Sequence, residues 1–301
     1  MQPFATIPGV LDARVLRGPE ALADAAPDLL IEVPHGATRT EDYTDLASRL
    51  TSPLPDALIE FFYVNTDVGA WELAEAIAAR LTALAPTRTV ALLRCRIPRT
   101  FIDCNRRVDA APEDFRAGRV TPGLMPWITT PEDRALLRAL YDQYVSAVRA
   151  ASDALAPDAA VLLPHSYAPR SVDVDVDAHI VANLRRAYEP AVEPTWPLRP
   201  MVDVICRDAD GVSHAPAGVL AALRANLATL DVPVAESETY PMHPSTLAWD
   251  HVQRRPGRAL CVEVRRDLLA DPFDPFAEMR IGGAKVARLA DPMARALLAW
   301  W

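Results

Sequence analysis

Short apolar runs bounded by polar or turn-forming residues recur along the chain, at Leu29–Val33, Thr89–Arg94, Ala159–Leu163 and Arg258–Arg265. Runs of this length and content predict strands buried on both faces, as in a parallel sheet covered by helices. Ile59–Val64 has the aromatic and β-branched content of a further short strand. Val202–Cys206 and Val234–Tyr240 also read as strands, with a helix over Ala217–Leu230 between them. Elsewhere the period changes. After Asp67, read as a helix N-cap, Ala70, Leu73, Ala74, Ile77, Leu81 and Leu84 recur at three- and four-residue spacing. Thr130-Pro131-Glu132-Asp133 supplies a cap, a first-turn proline and two acids at the positive end of a helix dipole. That helix is predicted to run to about Leu155, with Leu137, Leu140, Tyr144 and Val148 on one stripe. Asp42–Leu50 is weakly helical, Asp291–Trp301 predicts a final amphipathic helix, and residues 108–129, broken by Pro112, Gly118, Pro122, Gly123 and Pro126, predict a surface excursion. The expected fold is α/β, a mixed, mostly parallel central sheet flanked by helices on both faces, with residues 1–301 forming one domain.

Composition narrows the function classes. With 301 residues, 50% of them hydrophobic and 24% charged, the chain can bury one large core and is not disordered over most of its length. The net charge is -9, and the arginines are interleaved with acids without forming a basic block, which argues against a nucleic-acid partner. No apolar run reaches the roughly 18 residues of a membrane span, and the N-terminus lacks the regions of a signal peptide. A cytoplasmic protein with no membrane partner is expected. Cys95, Cys104, Cys206 and Cys261 are dispersed, so they are expected to be reduced, buried thiols. Asp173, Asp175 and Asp177 alternate with valine, but Ala178 and Leu184 stand where a calcium loop needs Gly and Glu. That stretch reads as a solvated strand edge or a loop over the site.

Chemistry concentrates where strands end. Ligands of open α/β sheets sit beyond the carboxyl ends of strands, and Leu29–Val33 leads into Pro34-His35-Gly36, while Ala159–Leu163 leads into Pro164-His165-Ser166. After Thr89–Arg94 comes Arg99-Thr-Phe-Ile-Asp103-Cys-Asn105-Arg106. Its guanidiniums can each present a planar fork to a carboxylate, with Asn105 as a neutral donor. The alternative is Asp103 paired with Arg99 or Arg106 on a solvated loop. Two histidines and an acid at one sheet edge could hold zinc and leave a position for water. A nearby Glu could take a proton, and an Arg could stabilise an oxyanion. The candidates are His35, Asp67 and His165 for the metal, Glu263 for the base and Arg99 for the oxyanion. Glu263 interrupts an apolar strand, so if buried it needs a partner or a metal.

The series Val33-Pro-His35-Gly, Asp67 opening a helix, Arg99 to Arg106, His165-Ser166 and Val262-Glu263-Val-Arg265 resembles the N-formylglutamate amidohydrolase family, in the same order from Leu29 to about Leu269. That family is similar in fold to the zinc carboxypeptidases and aspartoacylases. The resemblance implies that His35 and His165 bind zinc or another divalent transition metal and that Glu263 is general base and proton shuttle. It implies that Arg99 polarises the scissile carbonyl and that Asn105 and Arg106 hold a substrate carboxylate. The implied reaction is hydrolysis of the amide C–N bond of an N-formyl or N-acyl amino acid, with water on zinc as nucleophile. Its expected partner is that small molecule.

Departures from the pattern mark the open points. Thr38 stands three residues after the first histidine, where the pattern has a Glu ligand. Asp67 takes the equivalent topological position, with Glu41 as the substitute. Leu163 stands where an acid often precedes the second histidine, which removes an expected orienting partner. Tyr240-Pro-Met-His243-Pro-Ser lacks the glycines expected of the substrate loop. The acyl group and amino acid stay open there, and His243 is either a substrate contact or a loop residue. A carboxypeptidase-like peptidase and a metal-free carboxylate-binding relative are the alternatives, and the metal and Glu263 separate them.

Overall fold

The computed structural model describes residues 2–118 and 120–301. Its strands are β1 (Leu11–Arg17), β2 (Leu29–Val33), β3 (Thr89–Cys95), β4 (Ala160–Tyr167), β5 (Val202–Val204), β6 (Val234–Glu236) and β7 (Ala259–Arg265). They form one seven-stranded sheet in the order β1-β3-β2-β4-β7-β5-β6. The central strands β3, β2, β4 and β7 are parallel neighbours, and β5 and β6 are parallel to each other. β1 and β5 pair antiparallel with β3 and β7. The sheet is therefore mixed and mostly parallel.

Helices cover both faces. α3 (Ala70–Leu84), α7 (Ala217–Ala228) and α9 (Gly283–Leu297) pack with Leu29, Ile31 and Val33 of β2 on one side. α1 (Thr40–Ala47), α2 (Ile59–Asn65), α5 (Pro131–Asp153), α6 (Ile180–Ala187) and α8 (Leu247–Arg254) pack with Leu30 on the other. α4 (Pro112–Ala117) interrupts the surface excursion. Because side chains alternate across a strand, β2 is buried on both faces, and every residue of it is apolar except Glu32. Among the described residues no helix is long and apolar enough to cross a membrane.

Several expectations need correction. Ile59–Val64 is helical, because Leu58, Phe61 and Phe62 are buried in one cluster at i, i+3, i+4 spacing, which a strand cannot present to one side. The last helix starts at Gly283, eight residues before Asp291; its stripe of Val286, Leu289, Ala290, Met293, Ala294 and Leu297 runs through Pro292. The strands after Val202 and Val234 are three residues each. Thr130 does cap α5, its hydroxyl accepting from Asp133 N at 3.3 Å. All four cysteines are buried and unbridged.

Asp67 does not cap α3. The residue preceding that helix is Gly69, with φ +83°, and no side chain caps the turn. A Cβ at Gly69 would also lie 2.7 Å from the Leu269 Cβ, so both backbone and packing require glycine. The Asp67 carboxylate is thus free to turn elsewhere.

Candidate active site

The carboxyl ends of β2, β4 and β7 and the segment after β3 form the floor of a cavity of about 970 Å³. His35 sits in the turn after β2, which lies so close to β3 that a Cβ on Gly36 would meet Arg94 Cγ at 2.5 Å. β4 continues through Pro164, so His165 is in the strand and directly opposite Glu263 on β7. Asp67 comes from the α2–α3 link. Thr66 Oγ1 donates to Ala37 O and Ser166 Oγ to Val68 O, each at 2.7 Å, and the buried guanidinium of Arg266 donates to the carbonyls of Tyr63, Val64 and Thr66.

These supports bring His35, Asp67 and His165 together. His35 Nδ1 lies 3.2 Å and His165 Nδ1 2.8 Å from the same oxygen, Asp67 Oδ2. The residues are buried, and one ligand atom from each lies within 4.8 Å of the others. Burial alone would raise the Asp67 pKa, but His35 and His165 hold it well below the usual carboxylate range. Two imidazole nitrogens and a carboxylate oxygen are the donor set of a catalytic zinc site. Among the described residues, His165 Nε2 and Glu263 Oε2 are buried without hydrogen-bond partners, as fits a site completed by a bound group. Glu41 is exposed on the first turn of α1, so the grouping contains Asp67 and not Glu41.

Asp103 links this group to the anion segment. Its Oδ1 lies 2.7 Å from His35 Nε2 and accepts from Asn105 N at 2.8 Å, and its Oδ2 accepts from Arg99 at 2.9 Å. An imidazole that donates one nitrogen to a carboxylate presents the other in a fixed tautomer and direction. Asp103 is fully buried, and Arg106, His35 and Arg99 hold its pKa far down against the effect of burial. Asp103 does pair with Arg99, then, but in a buried segment that lines the cavity. Sequence reasoning missed its role toward His35, because nothing local relates residues 68 positions apart.

Arg99 also lies 3.5 Å from Asp67 Oδ1 and donates to Asn65 O at 3.3 Å. Its Nε and that of Arg106 are buried without partners among the described residues. Arg106 and Asn105 line the cavity beside α8, where Asn105 Oδ1 accepts from Ala248 N at 3.2 Å. Burial pushes the Glu263 carboxyl up to about 7; His165 opposes that rise and Asp67 adds to it. Such a carboxyl can both take and release a proton near neutral pH. His243 is turned away: its Nδ1 lies 2.9 Å from Ser245 Oγ, and its neighbours Met242 and Thr246 line the cavity in its place. Asp173 and Asp175 lie at the cavity mouth, so that stretch is a loop over the site.

The family model described as N-formylglutamate amidohydrolase matches residues 28–270. Among solved structures, an N-formylglutamate amidohydrolase from Ralstonia eutropha JMP134 is similar over 97% of each chain, with 17% identity and a TM-score of 0.58. A gene product of Agrobacterium tumefaciens is similar over 95% of this chain and 94% of its own, with 18% identity and a TM-score of 0.52. A metallo-carboxypeptidase from Burkholderia cenocepacia aligns with 96% of this chain and 60% of its own, with 14% identity and a TM-score of 0.42. No curated protein sequence matches.

Proposed function

The chain belongs to the N-formylglutamate amidohydrolase family, and on that premise we propose that it hydrolyses the amide C–N bond of an N-acyl amino acid at the His35–Asp67–His165 group, as a single cytoplasmic catalytic domain. The observation that carries this reading is the convergence of both Nδ1 atoms on Asp67 Oδ2, beside Glu263, whose Oε2 is buried and has no partner among the described residues. His35, Asp67 and His165 would hold a divalent transition metal, zinc by the softness and number of the donors. When bound, that ion supplies Lewis acidity toward the substrate carbonyl and acidifies water.

The remaining work falls to the chain. Arg106 and Asn105 bind the substrate carboxylate and fix the amide over the metal group. Arg99 donates to the carbonyl oxygen as it gains charge, from a preorganised position between Asp103 and Asp67. Glu263 Oε2 takes a proton from the attacking water and passes it to the nitrogen of the departing amine.

The test is the metal content of protein purified without chelators, for wild type, His35→Ala and His165→Ala, with turnover of a panel of N-formyl and N-acetyl amino acids. About one zinc per chain, lost in both variants, with hydrolysis of at least one panel member, is the expected result. A wild type that binds no zinc when supplied with it refutes the proposal.

A further inference from the structure

We propose that the part of the cavity beyond Arg99 is an acyl chamber, and that the substrates carry an apolar acyl group of several carbons, lying against Val172, Val174, Val176, Ile180 and Leu184. This rests on the amidohydrolase reading above and extends it to the substrate class.

The strap over the cavity, residues 171–177, has a period of two. Val172, Val174 and Val176 are half-buried against the core and line the cavity, whereas Asp173 and Asp175 border its mouth from exposed positions and Asp177 is exposed. A segment with one apolar and one charged side has a side to cover and a side to wet. Below the valines stand Ile180 and Leu184 of α6, with Phe61 and Val64 of α2 adjoining. The arginines at this edge are already committed. Arg170 donates to Trp196 O at 2.7 Å, and Arg199 donates to Ser171 Oγ and Tyr240 OH at 3.1 Å while lying over the Tyr167 ring.

The direction of the substrate follows from the two arginines that hold it. Arg106 lies on the α8 side, in a bridge with Thr246, and its neighbour Asn105 is tied to Ala248. Arg99 is tied to Asn65 at the end of α2, and α2 packs on α6, into which the strap leads. A substrate with its carboxylate on Arg106 and its carbonyl oxygen on Arg99 therefore sends its acyl carbons toward α2, α6 and the strap. A formyl group ends at the carbonyl and leaves this wall untouched. A cavity of about 970 Å³ is large enough for a drug-sized ligand.

The experiment measures kcat/KM, and calorimetric affinity, for the N-formyl, N-acetyl, N-butanoyl and N-hexanoyl derivatives of glutamate and of leucine. Wild type, Val174→Asp and Val174→Leu are compared in the zinc-loaded form. The expected result is a gain of up to about fourfold per buried methylene, so that hexanoyl exceeds acetyl at least tenfold in wild type and in Val174→Leu. Val174→Asp should remove that gain. A preference for formyl, with longer chains losing rate and affinity alike, overturns the chamber while leaving the amidohydrolase reading intact. Graded binding abolished by Val174→Asp, with no member hydrolysed, supports the chamber and overturns the reading. Neither hydrolysis nor graded binding overturns both.

Discussion

Two buried histidine–carboxylate groups adjoin β2, and they differ in whether their polar atoms are satisfied. Glu32, inside the strand, accepts from Tyr144 OH at 2.7 Å through one oxygen and lies 2.6 Å from His251 Nε2 through the other. Burial would raise its pKa, but His251 and Tyr144 hold it below its ordinary value. His35, three residues further on, belongs to the group around Asp67. There the carboxylate is also held low, yet His165 Nε2 and Glu263 Oε2 have no partners among the described residues. Residue types and burial are alike in the two groups; satisfaction is not. A closed set of hydrogen bonds braces β2 against α5 and α8, whereas open valences beside a cavity mark a place for a ligand.

Substitutions can break this comparison. Glu263→Gln is expected to lower kcat by about a thousandfold with no loss of thermal stability, since it removes a charge that desolvation disfavours, on a group whose Oε2 has no partner among the described residues. Kinetics and calorimetric unfolding check it. Glu32→Gln is expected to do the reverse, lowering unfolding free energy by about 3 kcal/mol because it disrupts a buried pair while kcat per folded molecule is kept. If the two variants exchanged phenotypes, satisfaction would not separate brace from site.

Metal sharpens the contrast. Zinc at about 100 times its dissociation constant should stabilise wild type by about 2.7 kcal/mol. The shift should vanish in His35→Ala and persist in His251→Gln, read by thermal unfolding with and without chelator. Next in size, Arg106→Lys should raise KM about tenfold with kcat nearly kept, since an ammonium cannot reproduce the two-pronged contact to a carboxylate.

The smallest effect is on pH dependence. The folded Glu32 pKa is depressed, so its contribution is present above the ordinary glutamate value of about 4.3 and fades as pH falls through the lower folded value. Between these two values, the lowered folded one and about 4.3, Glu32→Gln should show a stability slope shallower by at most about 1.4 kcal/mol per pH unit. Urea unfolding at a series of acidic pH values measures it.

What could be read from sequence follows the range over which each signal acts. The central strands, the α5 cap and the stripe of α3 are stated by adjacent residues, so they emerge from period and capping chemistry. Ile59–Val64 misleads, because strand-forming residue types there serve a helix whose buried side, Leu58, Phe61 and Phe62, is defined by the core it meets. The start expected at Asp291 misleads likewise, since the helix begins at Gly283 and continues through Pro292. At the site, histidines beside strand ends draw notice on their own. The role of Asp103 toward His35, the carbonyl contacts of Arg266 and the closure of Glu32 by His251 join residues 68 to 219 positions apart, and no local pattern encodes them. Position 67 shows both sides: an acid before a helix is a sound cap by statistics, and Gly69 releases it for other use.

Arg266 also fixes an order of events. It reaches back 200 residues to hold the segment that carries Asp67, and it stands at the end of β7, a central strand supplied late in the chain. As the polypeptide leaves the ribosome, both histidines and the aspartate emerge long before the guanidinium that sets the aspartate in place. Contacts of such sequence separation close slowly. The His35–Asp67–His165 grouping is therefore assembled late: a chain cut short before residue 266 would carry all three residues and still lack the guanidinium that holds the Asp67 segment.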